Sequence, residues 1–291
     1  MKLYYYINTG HRVGLDRLRR SAPVINALKA MDVDVTMLTN DFRAGEYAKE
    51  QFGIAKYVSV DVVRNIANIA TPGDALVFDS EEENRAMWDE MADYFRAFVR
   101  ISDDPEDFVS AGEGLISSMK EGAGILKLDI VDPRYFENSA HTGGNWYFWG
   151  DDDYEQKLLE LSEAFEGLDV SLLEGYYFFM QYGDELAKRF RAVEESESYD
   201  GILKNATRFL TSSPQSALEA LAAGSTPIYL EKPGSSAAWR EKLSSFGIPV
   251  IENFSKEAVA EKLAETFVYD EKVLRKDAAS VAAHYIKDKL S

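Results

Sequence analysis

Leu3-Tyr4-Tyr5-Tyr6-Ile7, followed by Val13-Gly14-Leu15-Asp16-Arg17-Leu18-Arg19-Arg20, decides the fold class of this chain. The first run is continuously apolar, as a strand covered on both faces requires. The second is a glycine-bearing loop that opens an amphipathic segment continued by Ala22, Val24, Ile25 and Leu28. Strand, glycine loop and helix in that order put backbone N–H groups and a positive helix end at the carboxyl edge of a sheet, where an anion is held. Arg17, Arg19 and Arg20 add positive charge at the same place. The competing reading is an ordinary βα turn with a solvated basic helix, and a short glycine motif alone does not separate the two.

The alternation continues outward from this turn. Residues 33–39, 57–60, 75–79 and 97–101 read as strands, with helices over 44–51 and 81–95, and a strand over 124–130 closes the first half. Asp79 ends its strand, at the edge where ligands of such sheets bind. Residues 132–144 are rich in breakers and read as a linker. A second set follows: strands at 146–149, 172–179, 191–193, 208–211, 226–230 and 249–251, and helices at 154–165, 184–191, 200–205, 215–223 and 236–245. A helical, alanine-rich segment spans 256–290. Strands alternating with helices imply parallel sheets and right-handed crossovers. The expected fold is therefore α/β, with two doubly wound Rossmann-like domains facing across a cleft. The N-terminal domain covers 1–135, the linker 136–145, and the C-terminal domain, with the final helices, 146–291.

With 291 residues, 46% of them hydrophobic, the chain can fill two ordinary cores. It contains no apolar run of 18 residues and no basic-then-apolar leader, so a soluble, cytoplasmic protein without a membrane span is expected. The absence of cysteine removes disulfides, thiolate nucleophiles and zinc–thiolate sites. A formal charge of −18 without a basic run argues against a nucleic-acid partner. His11, His141 and His284 are dispersed, and no histidine-rich metal site is expected. Asp151-Asp152-Asp153 reads more readily as a cap of the following helix than as ligands of a hard cation.

The run Thr211-Ser212-Ser213-Pro214-Gln215-Ser216-Ala217-Leu218-Glu219-Ala220-Leu221-Ala222-Ala223-Gly224-Ser225-Thr226-Pro227-Ile228 is the most informative for function. Hydroxyls stand at a helix start, where they serve as N-caps or as donors to a ligand, and a glutamate lies within an otherwise apolar helix. This run resembles the nucleotide-binding turn of GT-B-fold glycosyltransferases, in which a serine-rich loop leads into a helix bearing "EALALG-P". The resemblance implies that Glu219 holds the ribose hydroxyls and that Ser212, Ser213, Gln215 and Ser216 lie by the diphosphate. A carboxylate suits a vicinal diol because it accepts two hydrogen bonds.

Across its length the chain is similar to the family of the UDP-sugar hydrolase of the pseudaminic acid pathway. Val13 to Arg20 resembles the family's "G-x-G-H-x-x-R", Leu76-Val77-Phe78-Asp79 its "LIID" and Ile101-Ser102-Asp103-Asp104 its "SFDD". Trp149-Gly150-Asp151-Asp152 stands at the place of its "GGTD", and Ser235-Ser236-Ala237-Ala238-Trp239 resembles its "STATW". In this register the catalytic histidine falls on Arg17, and a guanidinium cannot take a proton from water. Three catalytic candidates follow: Asp16 as base, His11 as base, or Arg17 as the charge that stabilises a departing diphosphate. Gly14, Arg20 and Asp79 complete the phosphate and sugar side. The resemblance implies a nucleotide-sugar ligand, a UDP-sugar or similar donor, hydrolysed with release of UDP in surface-carbohydrate, nonulosonic acid-type biosynthesis. It implies neither cofactor nor metal. A glycosyltransferase and a non-catalytic nucleotide-sugar-binding relative are the alternatives.

Overall fold

A computed structural model describes residues 1–81, 84–137, 140–178 and 182–290. Glu82 and Glu83 of the expected third helix, and Phe179 of the expected strand 172–179, lie outside the described residues. The chain divides into two units. The first comprises Met1–Gly10, Arg17–Pro133 and Arg275–Ser291, the second His11–Asp16 and Arg134–Leu274.

The first unit is built on seven parallel strands: β1 (Leu3–Ile7), β2 (Val35–Thr39), β3 (Tyr57–Ser59), β4 (Ala75–Asp79), β5 (Ala97–Ser102), β6 (Gly114–Ser117) and β7 (Ile125–Lys127). Their order is β3-β2-β1-β4-β5-β6-β7, so the winding reverses between β1 and β4. All residues of β1, β2 and β4 are buried, so these strands are mostly apolar, with Thr36, Thr39 and Asp79 as their polar members. Ile7 pairs with Thr39 on one side and Asp79 on the other, which brings three carboxyl ends level. Three helices follow strands: α1 (Asp16–Ala30), α2 (Phe42–Phe52) and α3 (Arg85–Tyr94). Asp41 caps α2 by accepting the Arg43 N–H, and Gly53, at φ 68°, closes it in the left-handed conformation that glycine adopts without strain.

The second unit carries six parallel strands: β8 (Asn145–Phe148), β9 (Ser171–Leu173), β10 (Val193–Glu194), β11 (Arg208–Thr211), β12 (Thr226–Leu230) and β13 (Val250–Ile251), in the order β10-β9-β8-β11-β12-β13. Its helices are α4 (Lys157–Leu161), α5 (Gly183–Leu186), α6 (Tyr199–Asn205), α7 (Pro214–Ala223), α8 (Ala237–Ser245) and α9 (Lys256–Ala264). The core on one face centres on Tyr147, stacked on Phe165 at 4.5 Å between ring centroids.

Several sequence expectations are corrected. The strand expected at 172–179 ends at Leu173, because Gly175 comes so close to the Gly150 carbonyl that a methyl would overlap it, and a turn replaces the ladder there. The helix expected at 154–165 is α4 followed by a 3₁₀ turn, and β6 has no counterpart in the sequence reading. The C-terminal segment is two helices, not one. The second of these, α10 (Ala278–Lys289), belongs to the first unit, although the sequence placed it with the second half. It packs against β5 and β6 through Ala278, Ala279, Ala282, Ala283 and Ile286. The Tyr285 hydroxyl locks it there, donating to the Gly124 carbonyl at 2.8 Å and accepting from the Leu115 N–H at 3.2 Å. Among the described residues no helix is long and apolar enough to cross a membrane.

Candidate functional site

The site grows from residues 11–16, which follow β1 but pack with the second unit. Gly10, Arg12 and Gly14 all have positive φ, at 116°, 70° and 76°, so the backbone turns sharply three times in five residues. At Gly14 the positive φ is what favours glycine, since a Cβ there would make only ordinary contact with Asp151, at 3.6 Å. Three residues then fasten the loop. The buried Leu15 N–H donates to Asp151 Oδ2 at 3.0 Å, His11 Nδ1 lies 3.0 Å from Asp152 Oδ1, and the Ser213 hydroxyl lies 2.8 Å from both oxygens of Asp16.

Ser213 is also the N-cap of α7, accepting the Ser216 N–H at 3.0 Å, with Pro214 in the first turn and Gly224 at φ 77° ending the helix. Behind the cap lies a buried polar chain. Glu219 is 0% exposed in a helix whose other buried side chains are mostly apolar, so its carboxylate needs partners inside the protein. It finds the Tyr199 hydroxyl at 2.6 Å and the Gln215 amide nitrogen at 3.0 Å. Tyr199 has one proton. With that proton on Glu219, the contact of 2.7 Å between Tyr199 and Ser216 has Ser216 donating. Ser216 stands 2.9 Å from Ser213, and Ser213 2.8 Å from Asp16, so polar groups line up from Glu219 to Asp16; with the Ser216 proton on Tyr199, the single Ser213 proton serves either Asp16 or Ser216. Ser212 holds the chain to the sheet through the Tyr147 hydroxyl at 2.9 Å.

The three consecutive acids after β8 have three tasks. Asp151 holds the loop and Asp152 faces His11, while Asp153 accepts from the Leu158 N–H at 3.1 Å and the Tyr182 hydroxyl at 2.7 Å. Burial raises the Asp153 carboxyl above its ordinary value, although those hydrogen bonds oppose it. No cluster among the described residues could hold a metal ion.

In the first unit, Asp79 is 0% exposed and is gripped by Arg20, whose Nε donates to Oδ2 at 2.8 Å while a terminal nitrogen meets Oδ1. Ser21 adds a bond of 2.8 Å to Asp79, and Arg20 reaches Asp103 at 2.5 Å. Burial pushes the Asp103 carboxyl up, but Arg20 and the Ser118 hydroxyl outweigh it and hold the group below the usual range. Arg17 lies 3.2 Å from Glu81 and 3.8 Å from Asp79. Arg17, Arg20, Glu81 and Asp103 line a cavity of about 130 Å³ at the carboxyl ends of β4 and β5, together with Trp88 and Asp104.

Neither a protein-family model nor a curated protein matches this chain. Solved structures do. The UDP-GlcNAc 2-epimerase of Methanocaldococcus jannaschii, in complex with UDP-GlcNAc and UDP, superposes with a TM-score of 0.62 at 10% identity, over 99% of this chain and 100% of that one. The Staphylococcus aureus protein MnaA, bound to UDP, gives 0.63 at 10% identity over 98% and 94%. A glycosyltransferase from Rickettsia africae gives 0.59 at 12% identity over 100% and 94%. The fold is GT-B. At such identities the likeness establishes the architecture and leaves the chemistry to the residues.

Within the GT-B chain, the expected residues fall into two groups. His11, Gly14 and Asp16 gather in the second unit with Ser212, Ser213, Gln215, Ser216 and Glu219. Arg17, Arg20 and Asp79 lie in the first, where Arg20 and Asp79 satisfy one another. The sequence reading passes over two participants. Tyr199, the donor to Glu219, lies 20 residues away from it, with nothing local to connect them. Lys232, two residues beyond β12, is the other. Its ammonium lies 4.3 Å from the Trp149 ring centroid and 3.0 Å from where a Cβ on Gly150 would stand. Burial lowers its pKa to about 8, against the opposing influence of Asp16, Asp153, Asp151 and Asp152. The only signal in the sequence is a charged residue just past a strand end.

Proposed function

We propose that this chain binds a UDP-sugar or similar donor and hydrolyses it with release of UDP, with His11 as general base. The observation that carries the reading is the His11–Asp152 pair at 3.0 Å, on the loop fastened to the N-cap of α7. A carboxylate on Nδ1 fixes the imidazole tautomer, leaves the lone pair on Nε2, and stabilises the imidazolium that forms when water loses its proton. Water oxygen then bonds to the anomeric carbon, the bond from that carbon to the diphosphate oxygen breaks, the proton passes to Nε2, and UDP leaves with the bonding pair.

The same residue offers a histidine close to where the hydrolase family's motif would place one. When the "G-H" of "G-x-G-H-x-x-R" is laid on Gly10-His11 instead of ending at Arg17, histidine meets histidine. The departures then move to the motif's first glycine, which falls on Asn8, and to its arginine, which falls on Gly14. Asp16, whose two oxygens share the Ser213 hydroxyl, becomes the fastener of the loop. Glu219 with Tyr199 and Gln215 would receive the ribose, and the head of α7 the diphosphate. The neighbouring folds crystallised with UDP support uridine diphosphate as the nucleotide. The pseudaminic-type sugar and its place in surface-carbohydrate biosynthesis rest on the ordered partial motifs.

Calorimetry with UDP, and an assay of UDP release from UDP-2,4-diacetamido-2,4,6-trideoxy-altropyranose, test the reading together. Wild type binds UDP and releases it without an acceptor; His11→Gln binds UDP equally but turns over about 10²–10⁴-fold more slowly. No binding of UDP or UDP-sugars at millimolar concentration rejects the nucleotide-sugar reading. UDP release only when an acceptor is added converts it to a transferase, a reading that the Rickettsia africae neighbour supports and in which His11 would deprotonate the acceptor hydroxyl. Binding without turnover of any donor would identify a non-catalytic relative.

A further inference from the structure

Lys232 is a cation with no ion-pair partner among the described residues. Among the described residues no carboxylate lies within 4.0 Å of its ammonium, and the group makes no hydrogen bond to the protein. Its acidic neighbours have other donors: Leu15 N–H for Asp151, His11 and the Tyr154 N–H for Asp152, Leu158 N–H and Tyr182 for Asp153, and Ser213 for Asp16. The ring of Trp149, only 4% exposed, shields one side of the ammonium, and Gly150, at φ 122°, leaves the other side clear of a Cβ. Half-buried against an aromatic face, with four carboxylates near it but none in contact, the ammonium keeps its N–H donors for an anion that arrives there.

We infer that Lys232, beside Gly150 at the carboxyl edge of the second sheet, is an anchoring cation for a phosphoryl group, and that this group is the diphosphate of the bound nucleotide. The inference rests on the nucleotide-sugar reading for the identity of the ligand, but not for the anion site itself. An anion is otherwise unwelcome here: Asp16, Asp151, Asp152 and Asp153 all bear on the position, and the Lys232 charge opposes theirs. Phosphate binding at this edge should therefore depend on the lysine far more than binding at a broadly basic surface depends on any one residue. Base and ribose contacts should not depend on it.

Uridine, UMP, UDP and inorganic pyrophosphate are titrated calorimetrically into wild type, Lys232→Gln and Lys232→Arg at pH 7 and pH 9. Thermal melts verify that the variants are folded. Losing one charge-assisted contact should weaken UDP about 10–100-fold in the glutamine variant. Uridine should bind unchanged, and arginine should keep most of the UDP affinity. Because the free lysine titrates near 8, wild-type affinity for UDP should fall between pH 7 and pH 9, and that fall should vanish in Lys232→Gln. Equal UDP binding by wild type and the glutamine variant, or parallel loss of uridine and UDP, overturns the inference while leaving the nucleotide reading intact. Binding of pyrophosphate but not UDP, lost in Lys232→Gln, keeps the anion site and rejects the nucleotide. Binding of none of the four ligands by wild type overturns both.

Discussion

Asp79 and Glu219 are both carboxylates with 0% exposure, but they are buried by different means. Asp79 sits in a charge pair with Arg20, whereas the bonds defined for Glu219 come from the neutral Tyr199 and Gln215. Removing one side of a buried ion pair strands the other. Asp79→Asn should therefore lower the unfolding free energy by about 3–5 kcal/mol in urea titrations. Glu219→Gln, which keeps an oxygen for Tyr199, should cost much less. Acid acts on the same kind of group. Burial works against ionisation of Asp103, Asp107 and Glu113, but Arg20 at the first and Arg100 at the other two outweigh it, so all three titrate below their ordinary values. Stability from these pairs is complete above the ordinary carboxylate range and is lost as pH falls below it. Melting temperatures recorded from pH 7 to pH 3 should show that loss, reduced in Arg100→Met. The sequence shows Glu219 as an acid in an apolar helix, because that anomaly is local. It shows neither Tyr199 nor Lys232 as a partner, because their roles exist only after β12 and α6 are brought beside β8 and α7.

The N-terminus of α7 joins a helix cap to a loop anchor in one hydroxyl. Ser213→Ala removes an acceptor for the Ser216 N–H, at about 1 kcal/mol, and also releases Asp16. Hydrogen exchange should then quicken at the Leu15 amide, which is bonded to Asp151 in the same loop; unchanged protection would show that Asp151 and His11 hold the loop without Ser213. At this scale the legible elements are those with strong local patterns. β1 and β4 are five-residue buried runs, and α7 carries its cap, its proline and its closing glycine in the sequence. β6 is four residues beginning with glycine and offers no such pattern. The aromatic run Tyr176-Tyr177-Phe178 imitates a strand, and only the approach of Gly175 to Gly150 shows why the chain turns there.

For the whole molecule, the sequence yields the α/β class and the doubled winding, since periodicity and punctuation repeat along the chain. It does not yield where the end of the chain returns, because an alanine-faced helix suits either sheet. Removal of residues 275–291 should strip protection from β5 and β6 while β11 and β12 keep theirs, as hydrogen exchange would report. A wider consequence follows from the six residues His11–Asp16. The chain changes unit at residues 10–11, 16–17, 133–134 and 274–275, so no single breakpoint in the gene separates one complete unit from the other. Recombination that exchanged the second half alone would deliver a sheet lacking the imidazole and the carboxylate that belong to it. Viable chimeras with other GT-B proteins must therefore co-inherit codons 11–16 with codons 134–274, an association that sequence comparisons of recombinant lineages can detect as paired ancestry across a gap of more than a hundred codons.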